Sequence, residues 1–371
     1  MAVAVPSLST SSTSSSDLID RRSFGRIVAA ALAATALPAT AAVAAGGRPV
    51  SRKSMKLIKP PRLKAGDTIG LIAPGGHTDA TAIAKAIKNI ETLGFRVKLG
   101  RNLDAVYGNY GGLPQQRLDD LHAMFADPEV KALWAIRGGS GCIQLLAHLD
   151  YELIRRNPKI LLGYSDITAL HLAIQKKVGL VTFHGPVASS TLSDYSSTHL
   201  LNVLMHPEPE YVIPMAVENS RKALDEPHFA LRTVVPGVSE GPLTGGNLCL
   251  VSALVGTEYA ANYKGGILFL EEVNEAPYRI DRMLMQLHLN QGLQHASGVM
   301  LGICENCGPQ DSDISLTLDE TTDQHLKPLK APAVTGYSFG HIRHQFTLPM
   351  GIRARLDTLR QTLTLLEPAV I

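Results

Sequence analysis

The feature that most constrains the fold is a repeated alternation of short apolar runs with amphipathic segments, which begins at Thr68. The runs fall at 68–73, 96–99, 132–136, 160–163 and 180–183, and the segments between them, such as 80–93, 113–125 and 166–177, place apolar residues at helical spacing. Strand and helix in repeated alternation predict a parallel sheet covered on both faces. Such sheets bind ligands at the carboxyl ends of their strands, so the turns there are the first places to look for a site.

A proline-rich stretch divides the chain. Residues 206–240 hold five prolines and little sustained periodicity, which predicts a linker or an irregular segment. Before it, residues 60–205 are expected to form an α/β domain with a Rossmann-like or flavodoxin-like parallel sheet. After it, residues 241–371 carry shorter predicted strands around a helix at 279–289, which indicates a smaller, mixed α/β domain.

Residues 1–45 are expected to be an export signal. Arg21 and Arg22 precede an uncharged, alanine-dominated stretch at 27–45, an order typical of a signal peptide. The arginine pair resembles a twin-arginine signal and predicts a periplasmic protein, with a membrane anchor or a cytoplasmic location as alternatives. Pro38 and the many alanines favour a cleaved signal over a spanning helix, and no membrane span is expected after cleavage.

Composition excludes several classes of function. The 35 basic and 33 acidic residues leave a net charge of +2, too little to attract a polyanion, so nucleic acid is not an expected partner. The four cysteines are too few for a disulfide scaffold and lack the spacing of a zinc site, and we expect no metal or cofactor. Cys304 and Cys307 form a C-x-x-C pair. This pair could form a disulfide bond or carry out redox chemistry, and a structural role is favoured.

One motif places a serine at a predicted strand-to-helix turn. In Gly163-Tyr164-Ser165-Asp166 an apolar strand runs directly into a helix, so the Ser165 hydroxyl would face the ligand crevice. Backbone donors at the helix start could then hold an oxyanion. Ile167 replaces the second glycine of a full nucleophile elbow, and a helix N-cap is the alternative role for this serine.

The loop that starts at Arg137 follows another predicted strand of the same half. Its glycines, which include Gly138 and Gly139, let backbone amides approach a ligand closely. The loop matches neither the dinucleotide pattern nor the Walker pattern, which disfavours a nucleotide. A tight turn is its alternative role.

The C-terminal half supplies carboxylates and imidazoles. Glu271 and Glu272 follow the apolar run 267–270, where an acid could orient a histidine; a solvated acidic turn or a helix cap is the alternative. His341 and His344 lie beside a glycine, and either could be a base or a metal ligand, or be structural. No carboxylate or cysteine stands at close ligand spacing, which disfavours the metal.

Taken in order, these motifs resemble the bacterial L,D-carboxypeptidase family of serine peptidases, the muramoyltetrapeptide carboxypeptidases. The matching pieces are Gly66-Asp67-Thr68-Ile69 with Ala73-Pro74, Arg137-Gly138-Gly139, Gly163-Tyr164-Ser165-Asp166, Gly245-Gly246-Asn247, Leu270-Glu271 through Tyr278-Arg279-Ile280-Asp281-Arg282, and Gly340-His341 with Thr347-Leu348-Pro349. They span residues 66–351 in family order.

The resemblance implies a catalytic triad with Ser165 as nucleophile, His341 as general base and Glu271 as the acid that holds the imidazole. It implies an oxyanion hole formed by the backbone amides of Gly139 and Asp166. Further substrate contacts are expected from Arg137, Gly138 and Asn247, and Arg137 and Arg343 are both candidate donors to a substrate carboxylate.

The implied substrate is the murein tetrapeptide or another muropeptide, cut between the L-centre of its diamino acid and the terminal D-alanine. The resemblance also suggests a homodimer. One alternative is a relative of the microcin C immunity proteins, which cleave acyl-sulfamoyl adenylates in the cytoplasm. Another is a muropeptide-binding module without catalysis, which the presence of all three triad residue types disfavours.

Overall fold

Two β-sheets organise the molecule, one of six strands and one of eight. They are seen in a computed structural model that describes residues 56–290, 292–309 and 314–371; the predicted export signal lies outside these ranges. The strands are β1 (Thr68–Ile72), β2 (Arg96–Leu99), β3 (Val130–Ala135), β4 (Ile160–Gly163), β5 (Phe183–His184), β6 (Tyr211–Ile213), β7 (Arg232–Val235), β8 (Val238–Asn247), β9 (Ile267–Glu271), β10 (Gly298–Ile303), β11 (Ala333–Gly340), β12 (Leu348–Pro349), β13 (Arg353–Asp357) and β14 (Thr362–Leu365). The α-helices are α1 (Ala80–Thr92), α2 (Pro114–Ala126), α3 (Tyr151–Arg156), α4 (Thr168–Val178), α5 (Asp194–Leu204), α6 (Val217–Lys222), α7 (Leu248–Ala253), α8 (Pro277–Leu289), α9 (Gly292–His295) and α10 (Leu318–Leu326).

The first sheet has the strand order β12-β5-β4-β3-β1-β2. Its strands β1 to β5 run parallel in the order 2-1-3-4-5, which is that of flavodoxin-like doubly wound domains, and β12 pairs antiparallel with β5. β1 and β4 are buried along their whole length, as expected of strands covered on both faces. The predicted fold of this half is confirmed.

The second sheet has the order β6-β14-β13-β8-β9-β10-β11-β7. Its centre, β8 to β11, is parallel, whereas β13, β14, β6 and β7 pair antiparallel with their neighbours. A mixed α/β arrangement was predicted for this half and is confirmed. Because β12 returns to the first sheet between β11 and β13, the last part of the chain contributes to both sheets.

Residues 206–240 differ from the prediction of a linker or an irregular segment. They form β6, α6, β7 and the start of β8, with β6 and β7 at opposite edges of the second sheet. The prolines stand outside these strands: Pro214 follows β6, and Pro236 follows β7. A proline at the end of an edge strand removes no hydrogen bond from the ladder, so proline density does not exclude strands here.

This topology gathers the predicted site residues at strand ends. β3 and β4 of the first sheet end before the glycine loop and the serine turn, while β9 and β11 of the second sheet end at Glu271 and just before His341. Of the helices in the described ranges, none has the length and apolar character needed to cross a lipid bilayer.

Candidate active site

Ser165 occupies a strained turn between β4 and α4. β4 ends at Gly163, Ser165 opens a short 3-10 helix, and α4 begins at Thr168. The φ angle of Ser165 is 64°, a left-handed conformation that is rare outside glycine and that marks serine nucleophiles at strand-to-helix turns. Ile167 is the N-cap residue of α4, so Ser165 does not cap that helix.

The glycine loop after β3 lies against this serine. A Cβ atom on Gly138 would fall 2.7 Å from Ser165 Cβ and 2.8 Å from Ser165 Oγ, so only glycine permits this approach. Gly139 has a φ of 106°, and a Cβ atom on it would lie 2.7 Å from Gly76 Cα. The backbone of these glycines is therefore fixed beside the serine hydroxyl, where an N–H group could meet a developing oxyanion.

Two buried side chains hold this loop in place. The Asp166 carboxylate accepts a hydrogen bond from the backbone N–H of Cys142 at 2.9 Å, and burial raises the pKa of Asp166. Arg117 is 2% exposed; its Nη1 donates to Pro74 O at 2.9 Å and its Nη2 donates to Gln144 Oε1 at 2.8 Å. These bonds join the loops that follow β1 and β3 behind the serine.

Glu271 and His341 meet at the carboxyl ends of two strands. β9 ends at Glu271, His341 follows β11 directly, and β10 lies between the two strands. Glu271 Oε2 lies 2.7 Å from His341 Nδ1. The glutamate side chain is fully buried, whereas 18% of the imidazole is exposed. Because Nδ1 faces a carboxylate, it donates its proton there, and Nε2 is left to accept one.

Burial and pairing act on these two groups in opposite directions. Burial disfavours both charged forms, so it raises the pKa of Glu271 and lowers the pKa of His341. Their mutual attraction and hydrogen bond outweigh burial, and the net result is a lowered pKa for Glu271 and a raised pKa for His341. The carboxylate therefore remains ionised and stabilises the imidazolium form.

Glu272 is bonded to other groups. It accepts hydrogen bonds from Asn247 Nδ2 at 3.0 Å and from the backbone N–H groups of Cys249 at 2.8 Å and Val273 at 2.9 Å. Burial, together with repulsion from Glu271, raises the pKa of Glu272 to about 7. Asn247, expected to contact substrate, is buried and instead supports Glu272 and caps α7 with its side-chain oxygen. Its amide is thus engaged within the protein.

Tyr164 connects the serine turn with the histidine. Its ring centroid lies 4.7 Å from that of His341, and burial raises the pKa of Tyr164 to about 12. Ser165 is the next residue in the chain, so this ring contact joins the histidine to the turn that carries the serine. The hydrogen bonds of the described residues include none between Ser165 Oγ and His341. Such bonds are often long in ligand-free enzymes and tighten when substrate binds.

A cavity of about 460 Å³ opens beside His341. Its polar lining includes Tyr164, Ser190, Thr191, Ser196, Arg343 and Gln345. Arg137 does not line it; the Nη1 atom of Arg137 donates to His77 O at 3.0 Å. Of the two arginines considered for the substrate carboxylate, only Arg343 lines the same cavity as His341.

One group of side chains in the described ranges has the spacing of a metal site. Glu226, His228 and Glu305 place one ligand atom each within 4.8 Å of the others. Lys222 Nζ already lies 3.1 Å from Glu226 Oε2 and 3.6 Å from Glu305 Oε1, so an ammonium group occupies the position of a cation. None of these residues belongs to the predicted triad.

Sequence reasoning missed several residues that shape this site. Arg117, described above, carries no motif, and Gly75 and Gly76 pack against the Gly138 backbone without any feature that distinguishes them from turn glycines. His184 is fully buried at the end of β5, with its ring 5.9 Å from Tyr164. These positions are set by contacts between distant segments, which a single sequence does not display.

Comparison with known proteins places this geometry in a family. The model described as "LD-carboxypeptidase N-terminal domain" matches residues 69–185, and the model described as "LD-carboxypeptidase C-terminal domain" matches residues 240–356. The chain is 38% identical over 304 residues to a probable murein peptide carboxypeptidase of Bacillus subtilis, an alignment that covers 82% of this chain and 93% of the relative.

Solved structures of similar proteins support the same family assignment. A muramoyltetrapeptide carboxypeptidase from Oxalobacter formigenes is 29% identical and superposes with a TM-score of 0.69 over 80% of this chain and 97% of its own. An MccF-like protein from Bacillus anthracis is also 29% identical, with a TM-score of 0.74 over 84% of this chain and 99% of its own. The protein is therefore a hydrolase of the serine carboxypeptidase class. More particularly, it belongs to the LD-carboxypeptidase family, the S66 peptidases, as its resemblance at the motif level predicted.

Proposed function

We propose that this protein is an L,D-carboxypeptidase that removes the terminal D-alanine from the murein tetrapeptide with a triad of Ser165, His341 and Glu271. The observation that carries the proposal is the 2.7 Å contact between Glu271 Oε2 and His341 Nδ1, formed beside the strained turn of Ser165. The names of the murein-peptide relatives support the choice of substrate.

The mechanism follows from the roles of the two ring nitrogens of His341, with Nδ1 as the donor to Glu271 and Nε2 as the proton acceptor. His341 Nε2 takes the proton of Ser165 Oγ as the oxygen attacks the scissile carbonyl carbon, and Glu271 stabilises the resulting imidazolium. Backbone N–H groups of Gly139 and Asp166 hold the oxyanion. The C–N bond then breaks, His341 gives its proton to the departing amine of D-alanine, and an ester to Ser165 remains. Water, deprotonated by His341, hydrolyses that ester.

The test is mass spectrometry of a purified tetrapeptide before and after incubation with the protein. The expected product is the tripeptide together with free D-alanine. Ser165→Ala and His341→Ala should each reduce the rate by a factor on the order of 10³ or more, with unchanged circular dichroism. Unchanged turnover in both variants would remove the triad assignment.

A second candidate activity is hydrolysis of an aminoacyl-sulfamoyl adenylate. It is favoured by the similarity to the microcin C7 self-immunity protein MccF, which has been solved in complex with aspartyl sulfamoyl adenosine. An aminoacyl adenylate analogue incubated in parallel with the tetrapeptide separates the two activities. Turnover of the analogue alone would replace the first proposal with the second. Covalent labelling of Ser165 by a serine-directed probe would exclude a binding module without catalysis.

The cellular setting is a further part of the proposal. Arg21 and Arg22 lead us to propose export by the twin-arginine route to the periplasm, and the family resemblance leads us to propose a homodimer. Fractionation of cells that carry the native chain or a variant with both arginines replaced by lysine tests the first point. A native protein that stays cytoplasmic and uncleaved would contradict export. Light scattering of the purified protein tests the dimer.

A further inference from the structure

The chemistry of the proposed reaction fixes where the substrate's free carboxylate must lie. His341 protonates the departing nitrogen, so the leaving D-alanine sits on the histidine side of the scissile bond. In an α-amino acid the carboxyl carbon is two bonds from the nitrogen, about 2.5 Å away. The group that recognises this carboxylate must therefore be sought in the cavity beside His341. This step rests on the proposed function.

The charge of that cavity matches an anion. Of the described residues that line it, none is an aspartate or glutamate, and Arg343 is the one permanent cation. The hydroxyl of Thr191, which also lines the cavity, accepts a hydrogen bond from Lys85 Nζ at 2.8 Å, so a second positive charge lies close to this wall of the cavity. A carboxylate placed here would meet a cation and hydroxyl groups, with no lining carboxylate to repel it.

The guanidinium of Arg343 is not committed elsewhere in the described structure. The arginines that form salt bridges there are Arg155, Arg232, Arg279, Arg353, Arg355 and Arg360. The side chain of Arg343 is exposed and makes no hydrogen bond to a described residue. Arg137, in contrast, already donates one hydrogen bond to the backbone carbonyl of His77.

The backbone that carries Arg343 is held from two sides. Ser196 Oγ, on α5, donates to Arg343 O at 3.0 Å and accepts from the Gln345 N–H at 3.1 Å. Asn219 Nδ2, on α6, donates to His344 O at 2.9 Å. A binding side chain on an anchored backbone needs less ordering when the ligand arrives, and this favours recognition.

A second group in the cavity points to the same ligand. Gln345 is 2% exposed, lines the cavity, and its Oε1 atom has no hydrogen-bond partner among the described residues. A buried acceptor without a partner is costly, and an N–H group of a bound peptide would satisfy it. A carboxylate and an amide N–H lie side by side at the C-terminus of a peptide.

We infer that Arg343 is the specificity-determining residue that binds the free C-terminal carboxylate of the peptide substrate. Gln345 Oε1 accepts from the adjacent peptide N–H. This pair makes the enzyme a carboxypeptidase, because an internal peptide bond would present no anion to Arg343.

The experiment compares two substrates, the tetrapeptide with a free C-terminal carboxylate and the same peptide as its C-terminal amide. kcat and KM are measured for the native protein, Arg343→Gln, Arg343→Lys and Arg62→Gln, the last being an exposed arginine outside the cavity. For Arg343→Gln we expect KM for the acid to rise about 10- to 100-fold, with little change for the amide. The lysine variant should recover part of the loss, and Arg62→Gln should match the native protein.

A binding measurement separates this inference from the proposed function. Calorimetric titration of both peptides into Ser165→Ala protein, with and without Arg343→Gln, reports carboxylate recognition without turnover. If Arg343→Gln keeps the native preference for acid over amide in turnover and in binding, the inference is overturned. If the native protein releases no D-alanine but its acid preference in binding is lost with Arg343→Gln, the reaction was assigned wrongly and the role of Arg343 stands.

Discussion

At the scale of single residues, the choice between two adjacent acids is the sharpest question. Glu271 contacts His341 directly, whereas Glu272 is bonded to Asn247 and two backbone N–H groups. Glu271→Gln removes the charge that stabilises the imidazolium and should lower kcat by a factor on the order of 10³ to 10⁴. Glu272→Gln should cost about 10-fold or less, because its side chain does not touch the histidine. Steady-state kinetics on the tetrapeptide measures both, and the opposite ranking would mean that the triad acid is Glu272.

The histidine also predicts a pH dependence. His341 must be neutral to accept a proton, and Glu271 raises its pKa above the ordinary value near 6.5. The acidic limb of the kcat/KM profile should therefore have its midpoint above pH 6.5. In Glu271→Gln the attraction that favours the imidazolium is gone, so the midpoint should move to lower pH. A midpoint that stays in place would show that the limb belongs to another group.

At the scale of elements, the glycine loop after β3 is the segment that should tolerate substitution least. A Cβ atom on Gly138 would lie 2.7 Å from Ser165 Cβ, so Gly138→Ala must displace the loop or the serine. A displacement of about 1 Å near reacting groups costs on the order of 10²-fold in rate, and we expect a loss of that size in kcat. Gly308→Ala is the matched control, because no atom of the described residues lies within 4 Å of its Cβ position. Equal rates for both variants would contradict the loop's role.

Elements also show how far sequence reasoning reached. β2 and β4 begin and end where the sequence analysis placed the runs 96–99 and 160–163, and β4 is buried along its whole length, as an unbroken apolar run predicts. β6 and β7 were missed, since three- and four-residue edge strands owe their conformation to the strand beside them. The proposed triad residues were chosen from motifs at strand ends together with the family resemblance, and they stay a prediction. The support of Glu272 by Asn247 was not predicted, because it depends on how β8 and β9 align.

At the scale of the whole molecule, the two sheets are linked because the chain passes from the second sheet to the first and back again. β11 ends in the second sheet, β12 pairs with β5 in the first, and β13 returns to the second. Because β12 is connected on both sides to strands of the second sheet, loss of that sheet would release β12 from its pairing with β5. We expect urea to unfold the protein in a single transition, with the same midpoint by far-ultraviolet circular dichroism and by fluorescence of Trp134, which lies in the first sheet. Two separated midpoints would show that the sheets unfold independently.

Acid sensitivity follows from two histidines buried in the first half. Burial lowers the pKa of His171 to about 3 and the pKa of His184 to about 4, although Glu271 acts on His184 in the opposite sense. In the unfolded chain both groups regain a pKa near 6.5. As the pH falls below about 6.5, the unfolded chain takes up protons at these two positions that the folded protein does not, so the contribution of the two histidines to the free energy of unfolding decreases until the pH reaches their folded-state pKa values.

His184 provides the test of this linkage. Each such histidine should contribute a slope of up to about 1.4 kcal/mol per pH unit between pH 6 and pH 5. His184→Gln removes one titrating group from the folded interior, so its free energy of unfolding should fall less steeply over that interval than that of the native protein, whatever its stability at pH 7. Urea unfolding at pH 7, 6 and 5 measures the slope, and His148→Gln, at an exposed histidine, should keep the native one. If His184→Gln shows the native slope, the buried imidazole is already protonated in the folded protein, which would require Glu271 to act on it more strongly than burial does.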